Sequence, residues 1–204
     1  MNGPMWTVRL TYRRRNLSPG RIPFQANPLV GHGMHQKSMQ GEEDESGLIQ
    51  SARDVLKDFT GVKTRGWLSP GLRETNETPD ILKSLGVDFV FDWVVDDLPS
   101  WMTTKHGRLM SMPYNVEIND SIVYAIEKHA TGEMYQRFSN TLETFGRESS
   151  QNPRVLAVGL HPHLIAVPHR IHELERMLDD VLARDDTIFM NGSQIADWYK
   201  AAEG

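Results

Sequence analysis

The chain has 204 residues, 39% of them apolar and 24% charged, a balance that fits a globular domain and not a disordered chain. It has no cysteine, which excludes disulfide staples, Cys-based zinc sites and a thiol nucleophile, and leaves His and carboxylates to hold any metal. The net charge of −5 is uneven. Residues 1–41 hold six bases (Arg9, Arg13, Arg14, Arg15, Arg21 and Lys37) and no acid, so all 27 acids fall from Glu42 onward, and an acidic body argues against nucleic acid as the ligand.

Residues 1–28 read as an atypical basic N-terminal arm ahead of a domain at 29–204. An Arg-rich, acid-free start is also the composition of an organellar transit peptide, but Ser richness and a clear amphipathic period are missing, and no apolar stretch marks a secretory signal. The longest apolar runs have four to six residues, Leu164–Val167 among them, far short of the roughly 20 that span a bilayer. The expectation is a cytoplasmic protein with no membrane partner, free to form a homo-oligomer.

The first periodic segment starts at Ser46. Leu48, Ile49, Ala52, Val55, Leu56 and Phe59 recur at helical spacing, Gly61 stops the helix, and the acids Glu42–Glu45 form a solvated entrance favoured by the helix dipole. A short link at 61–64 leaves room for a strand near Trp67-Leu68. Thr78-Pro79-Asp80 opens a second helix that ends at Gly86, and 87–93 follows as a strand. Further helices are predicted at 121–129, 133–146 and 169–184. Buried strands are predicted at 154–160 and 187–190, and a last helix is capped by Ser193. Helices alternate with short strands, so the fold class is α/β with a parallel sheet, and polar residues just past strand ends are the candidates for chemistry.

Four segments stand out by that rule. His161 and His163 follow the strand 154–160, where a strand would fix a catalytic imidazole; a loop histidine satisfied by backbone is the plainer alternative. Asp92-Trp93 and Asp96-Asp97 follow the strand from 87. Paired carboxylates there can bind metal, orient a histidine or act as a base, and can equally be turn residues. Gly31-His32-Gly33-Met34-His35-Gln36 places two histidines close together, but a catalytic metal site needs about three protein ligands and no third is near in sequence. Arg65 could anchor a carboxylate in a site or form an ordinary surface pair.

Taken together, His32, Arg65, Asp92-Trp93 and His161 occur in an order that resembles the polysaccharide deacetylase superfamily. Its second motif is similar to Gly31–Gln36, its third to Arg65–Pro70, its fourth to Asp92-Trp93 and its fifth to Leu160-His161. The connecting text resembles the allantoinase-like branch: Trp67–Leu72, Asp92–Pro99, Met112–Asp120, and His161-Pro162-His163 with Pro168-His169-Arg170. The resemblance covers about residues 29–200.

It implies a distorted (β/α) barrel that hydrolyses non-peptide carbon–nitrogen bonds of amides, in an N-acetylated glycan or a small cyclic amide. It implies a divalent metal such as zinc, with His32 as its first histidine. His161 would be the general acid, with Arg65 and Asp92 orienting the catalytic pair. Trp67, Trp93, Asp96, Asp97 and His163 would line the substrate pocket. Two departures stand against activity. Gln36 occupies the place of the second metal histidine, with His35 one residue early. The Asp-bearing first motif has no counterpart in the 31 residues before His32. The chain is therefore expected to be a deacetylase-type barrel incomplete at its N-terminus and short of its base. A catalytically dead binding or structural fragment is the alternative.

Overall fold

A computed structural model describes residues 6–12, 29–149 and 151–203. In chain order the elements are β1 (Trp6–Tyr12), β2 (Val30–Gly31), α1 (Glu45–Thr60), β3 (Gly66–Trp67), α2 (Thr78–Ser84), β4 (Phe89–Val90), β5 (Ser100–Thr104) and β6 (Gly107–Ser111). After them come α3 (Glu133–Glu148), β7 (Val155–Leu160), α4 (Pro162–Ile165), α5 (Ile171–Leu182), β8 (Thr187–Phe189) and α6 (Gly192–Glu203). These gather into two compact units. Among the described residues, no helix is long and apolar enough to cross a membrane.

The first unit holds 29–113 with 191–203. Its sheet runs β2-β3-β4-β6-β5, parallel from β2 to β6, with β5 antiparallel to β6 across a hairpin that helical and strand periodicity alone does not reveal. The core packs Met39, Ile49, Ala52, Trp67, Leu82, Val87, Val90 and Leu109. Helix α1 forms where its spacing places it, with Asp44 as N-cap to the Gly47 amide at 2.8 Å and Gly61 in the left-handed region at its end. Two details differ from expectation. Phe59, in the last turn, is 88% exposed. Glu45 is not part of a solvated entrance: it is buried, and takes hydrogen bonds from the hydroxyls of Thr75 and Thr78.

Pairing between the short parallel strands depends on close approach. Gly66 faces Phe89 across the β3–β4 register, and a Cβ on Gly66 would lie 2.1 Å from the Phe89 ring. Only a residue without a side chain fits there. The final helix α6 starts one step earlier than Ser193. Asn191 accepts from the Gln194 amide at 3.0 Å and the Gln194 side chain takes the Asn191 amide at 2.8 Å, a reciprocal cap that satisfies donors at both positions.

The second unit holds β1 with 114–190. Its sheet order is β7-β1-β8, with β1 antiparallel to both neighbours. The all-parallel sheet expected from alternation therefore does not extend here: the basic leader, read as an arm, contributes a strand of opposite direction. The remainder of the leader lies outside the described residues. Every residue of β7 is buried, which is why 154–160 reads as a continuous apolar run. Helices α3 and α5 cover it with Met134, Phe138, Leu142, Met177 and Val181. The segment 121–129, expected as an α-helix, is a wider π-type turn over Ser121–Ile126.

Replacing Gly66 with Ala will force the Phe89 ring or the strand to move, and the urea midpoint should fall by the equivalent of about 1–3 kcal/mol. An unchanged midpoint would mean that the β3–β4 approach is not as close as described.

Candidate active site

Parallel register decides which polar residues share an end of the first sheet. Gly31 pairs with Trp67 and Trp67 with Val90, so His32, Ser69 and Asp92 all lie just past the C-terminal ends of β2, β3 and β4. His32 donates from Nδ1 to the Leu68 carbonyl at 2.6 Å, which leaves Nε2 as the atom free to act. Asp92 accepts the Ser69 amide at 2.6 Å. The Ser69 hydroxyl in turn takes the indole N–H of Trp67 at 3.0 Å.

A further carboxyl belongs to this cluster that was not among the residues singled out from sequence. Glu74 neighbours Asp92, and its Oε2, like Oδ2 of Asp92, is buried without a hydrogen-bond partner among the described residues. Burial first, then the neighbouring Asp92 carboxyl, push the Glu74 carboxyl up to about 9. Burial also raises Asp92, opposed by its neighbours Glu74, Ser69 and His32. Glu74 stands two residues beyond Gly71 and Leu72, both with positive φ (67° and 56°), a backbone path that a local pattern reading does not foresee.

Arg65 is at the other end. It precedes β3, as Asp88 precedes β4, so both sit at the N-terminal ends of these strands. It binds Asp88 at 2.7 Å and Asp197 of α6 through both terminal nitrogens at 2.7 and 3.0 Å. The bond to Asp197 raises the Arg65 pKa, and the same bond lowers that of Asp197. The structure thus makes Arg65 a tie between sheet and final helix, and does not bring it together with His32 and Asp92.

The remaining pocket candidates of this unit divide. Trp67 is fully buried and belongs to the core, whereas Trp93 is 42% exposed beside Asp92. Asp96 accepts the Asp97 amide at 2.6 Å, which is turn chemistry. Trp101 is half-buried under the Arg108 guanidinium at 4.2 Å, and its indole N–H goes to Glu203.

In the second unit the strand β7 delivers His161 as expected, and the structure supplies its partner. Asp120 is fully buried and spends both oxygens on this one residue. Oδ1 accepts the His161 Nδ1–H at 2.6 Å and Oδ2 the His161 amide at 2.7 Å. The ring itself keeps 24% of its side-chain surface, and with Nδ1 taken by Asp120, Nε2 is the ring nitrogen left without a hydrogen-bond partner among the described residues. Asp120 is held by the segment before it. Asn115 takes the Ala157 amide at 2.7 Å, and Asn119 forms a parallel bridge to Gly159 while its side chain takes the Ser121 amide and gives a hydrogen bond to the Tyr114 hydroxyl. A Cβ on Gly159 would lie 2.6 Å from the Asn119 side chain, so this approach also requires glycine. His163 lies on α4 with its ring 5.8 Å from that of His161. The sequence signal for Asp120 was the Asn119-Asp120 pair that ends the Met112–Asp120 match; the orienting role went to Asp92 because the resemblance to the deacetylase motifs implies it.

Solved structures share this architecture. A protein described as a polysaccharide deacetylase from Pseudomonas aeruginosa PAO1 superposes with a TM-score of 0.76 at 24% identity. Puue allantoinase gives 0.78 at 22%, and a protein described as a polysaccharide deacetylase from Mycobacterium smegmatis gives 0.71 at 20%. The fold is that of the polysaccharide deacetylases. Each superposition covers 85% of this chain; the chain spans 59%, 59% and 63% of the length of those proteins. No family model matches the sequence, and no curated protein matches it.

The metal implied by the resemblance does not fit the donors described. His32 has Nε2 available, but His35 lies three residues on in an exposed bend, and among the described residues no three His, Asp or Glu side chains converge to hold an ion. Three protein ligands are the minimum of a catalytic zinc centre. Metal analysis of the purified chain should give well under one equivalent of zinc; a tightly held stoichiometric ion would show that the donor set has been misread.

Proposed function

We propose that this protein hydrolyses non-peptide carbon–nitrogen bonds of amides, with His161 as the acid–base group and Asp120 as the residue that orients it. The observation that supports this is the buried Asp120 clamping both the ring Nδ1–H and the amide of a histidine at the end of β7. A carboxylate so placed fixes the tautomer with the proton on Nδ1. Nε2 can then take a proton from water as its oxygen adds to the amide carbonyl, and give it to the nitrogen as the carbon–nitrogen bond breaks. Asp120 stabilises the imidazolium that exists between those two transfers. A chain reduced to a binding or structural module would have no use for a fully buried carboxylate committed to a half-exposed imidazole.

Between the two substrate classes, a small cyclic amide is the better fit. A glycan groove would be expected to present several exposed aromatics. Of the three tryptophans suggested for that purpose, Trp67 is buried and Trp101 is engaged by Arg108 and Glu203, which leaves Trp93.

The test is hydrolysis of a hydantoin-type cyclic amide and, in parallel, of N-acetylglucosamine oligomers. The cyclic amide should be the one turned over. His161→Ala should abolish turnover, and Asp120→Asn should lower kcat by about 10²–10⁴. Unchanged turnover in His161→Ala would remove this histidine from the mechanism.

A further inference from the structure

The segment Pro168-His169-Arg170, singled out in the sequence, has no role in the reading above. Arg170 is the half-buried residue that leads into α5. Its backbone is fixed at both ends: the amide donates to the Val167 carbonyl at 2.9 Å, and the carbonyl takes the Glu173 amide at 2.9 Å. Its side chain reaches two other segments of the same unit. Nη1 donates to the Leu164 carbonyl at 3.2 Å, and the guanidinium carbon stands 4.2 Å from the centre of the Tyr124 ring. Among the described residues no carboxylate pairs with Arg170; the buried Glu173 nearby goes to His172 and Arg176 at 3.0 and 3.2 Å.

The two segments that Arg170 joins are those that leave His161 and Asp120. His161 heads α4, and its carbonyl accepts the amides of Leu164 and Ile165 at 2.8 and 3.1 Å, so the carbonyl held by Arg170 lies one turn beyond it. Asp120 heads the turn Ser121–Ile126, and Tyr124 lies one turn beyond that. Tyr124 is itself immobilised: its ring is buried and its hydroxyl donates to the Thr131 carbonyl at 2.6 Å. A guanidinium can stack on an aromatic face and donate in its own plane at the same time, which an ammonium cannot. The Asp120–His161 hydrogen bond is directional and weakens steeply when its geometry slips, so it depends on whatever keeps these two segments from sliding past each other.

We propose that Arg170 is a positioning residue: its guanidinium braces the segments that leave Asp120 and His161, and so holds the two side chains in hydrogen-bonding register. It acts through those segments, with no hydrogen bond of its own to either residue. Its place in catalysis rests on the reading of Asp120 and His161 as the acid–base pair; its effect on their geometry does not. Helix α5 carries a matched contact that lacks this role. Arg176 stacks on Tyr135 at 3.6 Å, and Tyr135 belongs to α3, away from the segments that leave the pair.

The test is the Nδ1–H resonance of His161 in the ¹⁵N-histidine-labelled chain, assigned by its loss in His161→Ala, with its rate of exchange with water measured at neutral pH. Arg170→Gln should broaden the resonance away or speed its exchange by about tenfold or more. Tyr124→Leu removes the ring face that the guanidinium rests on and should do the same. Arg176→Gln removes the matched contact and should leave the resonance as in the wild type. Equal loss of melting temperature in Arg170→Gln and Arg176→Gln with the His161 resonance unchanged in both would reduce Arg170 to a stabilising contact and overturn the proposal. So would a resonance disturbed equally by Arg176→Gln. Should Arg170→Gln fail to fold, Arg170→Lys decides by the same criterion, since it keeps the charge and loses the planar fork. On a substrate that the wild type turns over, Arg170→Gln should lower kcat by about 10–100-fold with little change in KM. Absence of turnover in the wild type would count against the hydrolase reading alone, because the resonance is read without substrate.

Discussion

A carboxylate with no exposure to water has to be fully partnered, and among the described residues Asp120 is partnered by His161 alone. Both of its oxygens are given to His161, one to the ring and one to the backbone. That constraint organises much of the second unit. The segment from Tyr114 to Asp120 must run beside β7, which it does through Asn115, Asn119 and the close approach at Gly159. Isolated burial of such a charge would cost several kcal/mol; here it is offset by two short charge-assisted hydrogen bonds.

The first unit follows the same logic with parallel strands in place of a clamp. Two-residue strands fix little by themselves, but their shared register sets His32, Ser69 and Asp92 on one end and Arg65 and Asp88 on the other. One end is held together by charge pairs that tie in α6. The other collects His32, Asp92 and Glu74. Arg65 and Asp197 are partly exposed and pair with each other, whereas Oε2 of Glu74 and Oδ2 of Asp92 are buried without a partner among the described residues.

Much of this was legible in the sequence because it depends on local period and chain order. Helices α1, α3 and α5 and strand β7 stand where apolar spacing placed them, and His161 follows β7 as a strand-end histidine should. What escaped the sequence was set by contacts between distant segments. Asp120 meets His161 across 41 residues, and Glu74 follows Gly71 and Leu72, both left-handed. Arg65 was placed with the chemistry because its motif lies beside Trp67-Leu68-Ser69; the strand between them puts it at the opposite end. The hairpin β5–β6 and the direction of β1 depend on pairing partners that periodicity alone does not reveal.

The claim at the centre of this account is that Asp120 fixes His161 as the Nδ1–H tautomer with Nε2 left for chemistry. The ¹H–¹⁵N spectrum of the imidazole tests it most directly. The account predicts a strongly downfield Nδ1 proton on His161 at neutral pH that disappears in Asp120→Asn. A proton found on Nε2 with Nδ1 bare, or a spectrum that Asp120→Asn leaves unchanged, would contradict it.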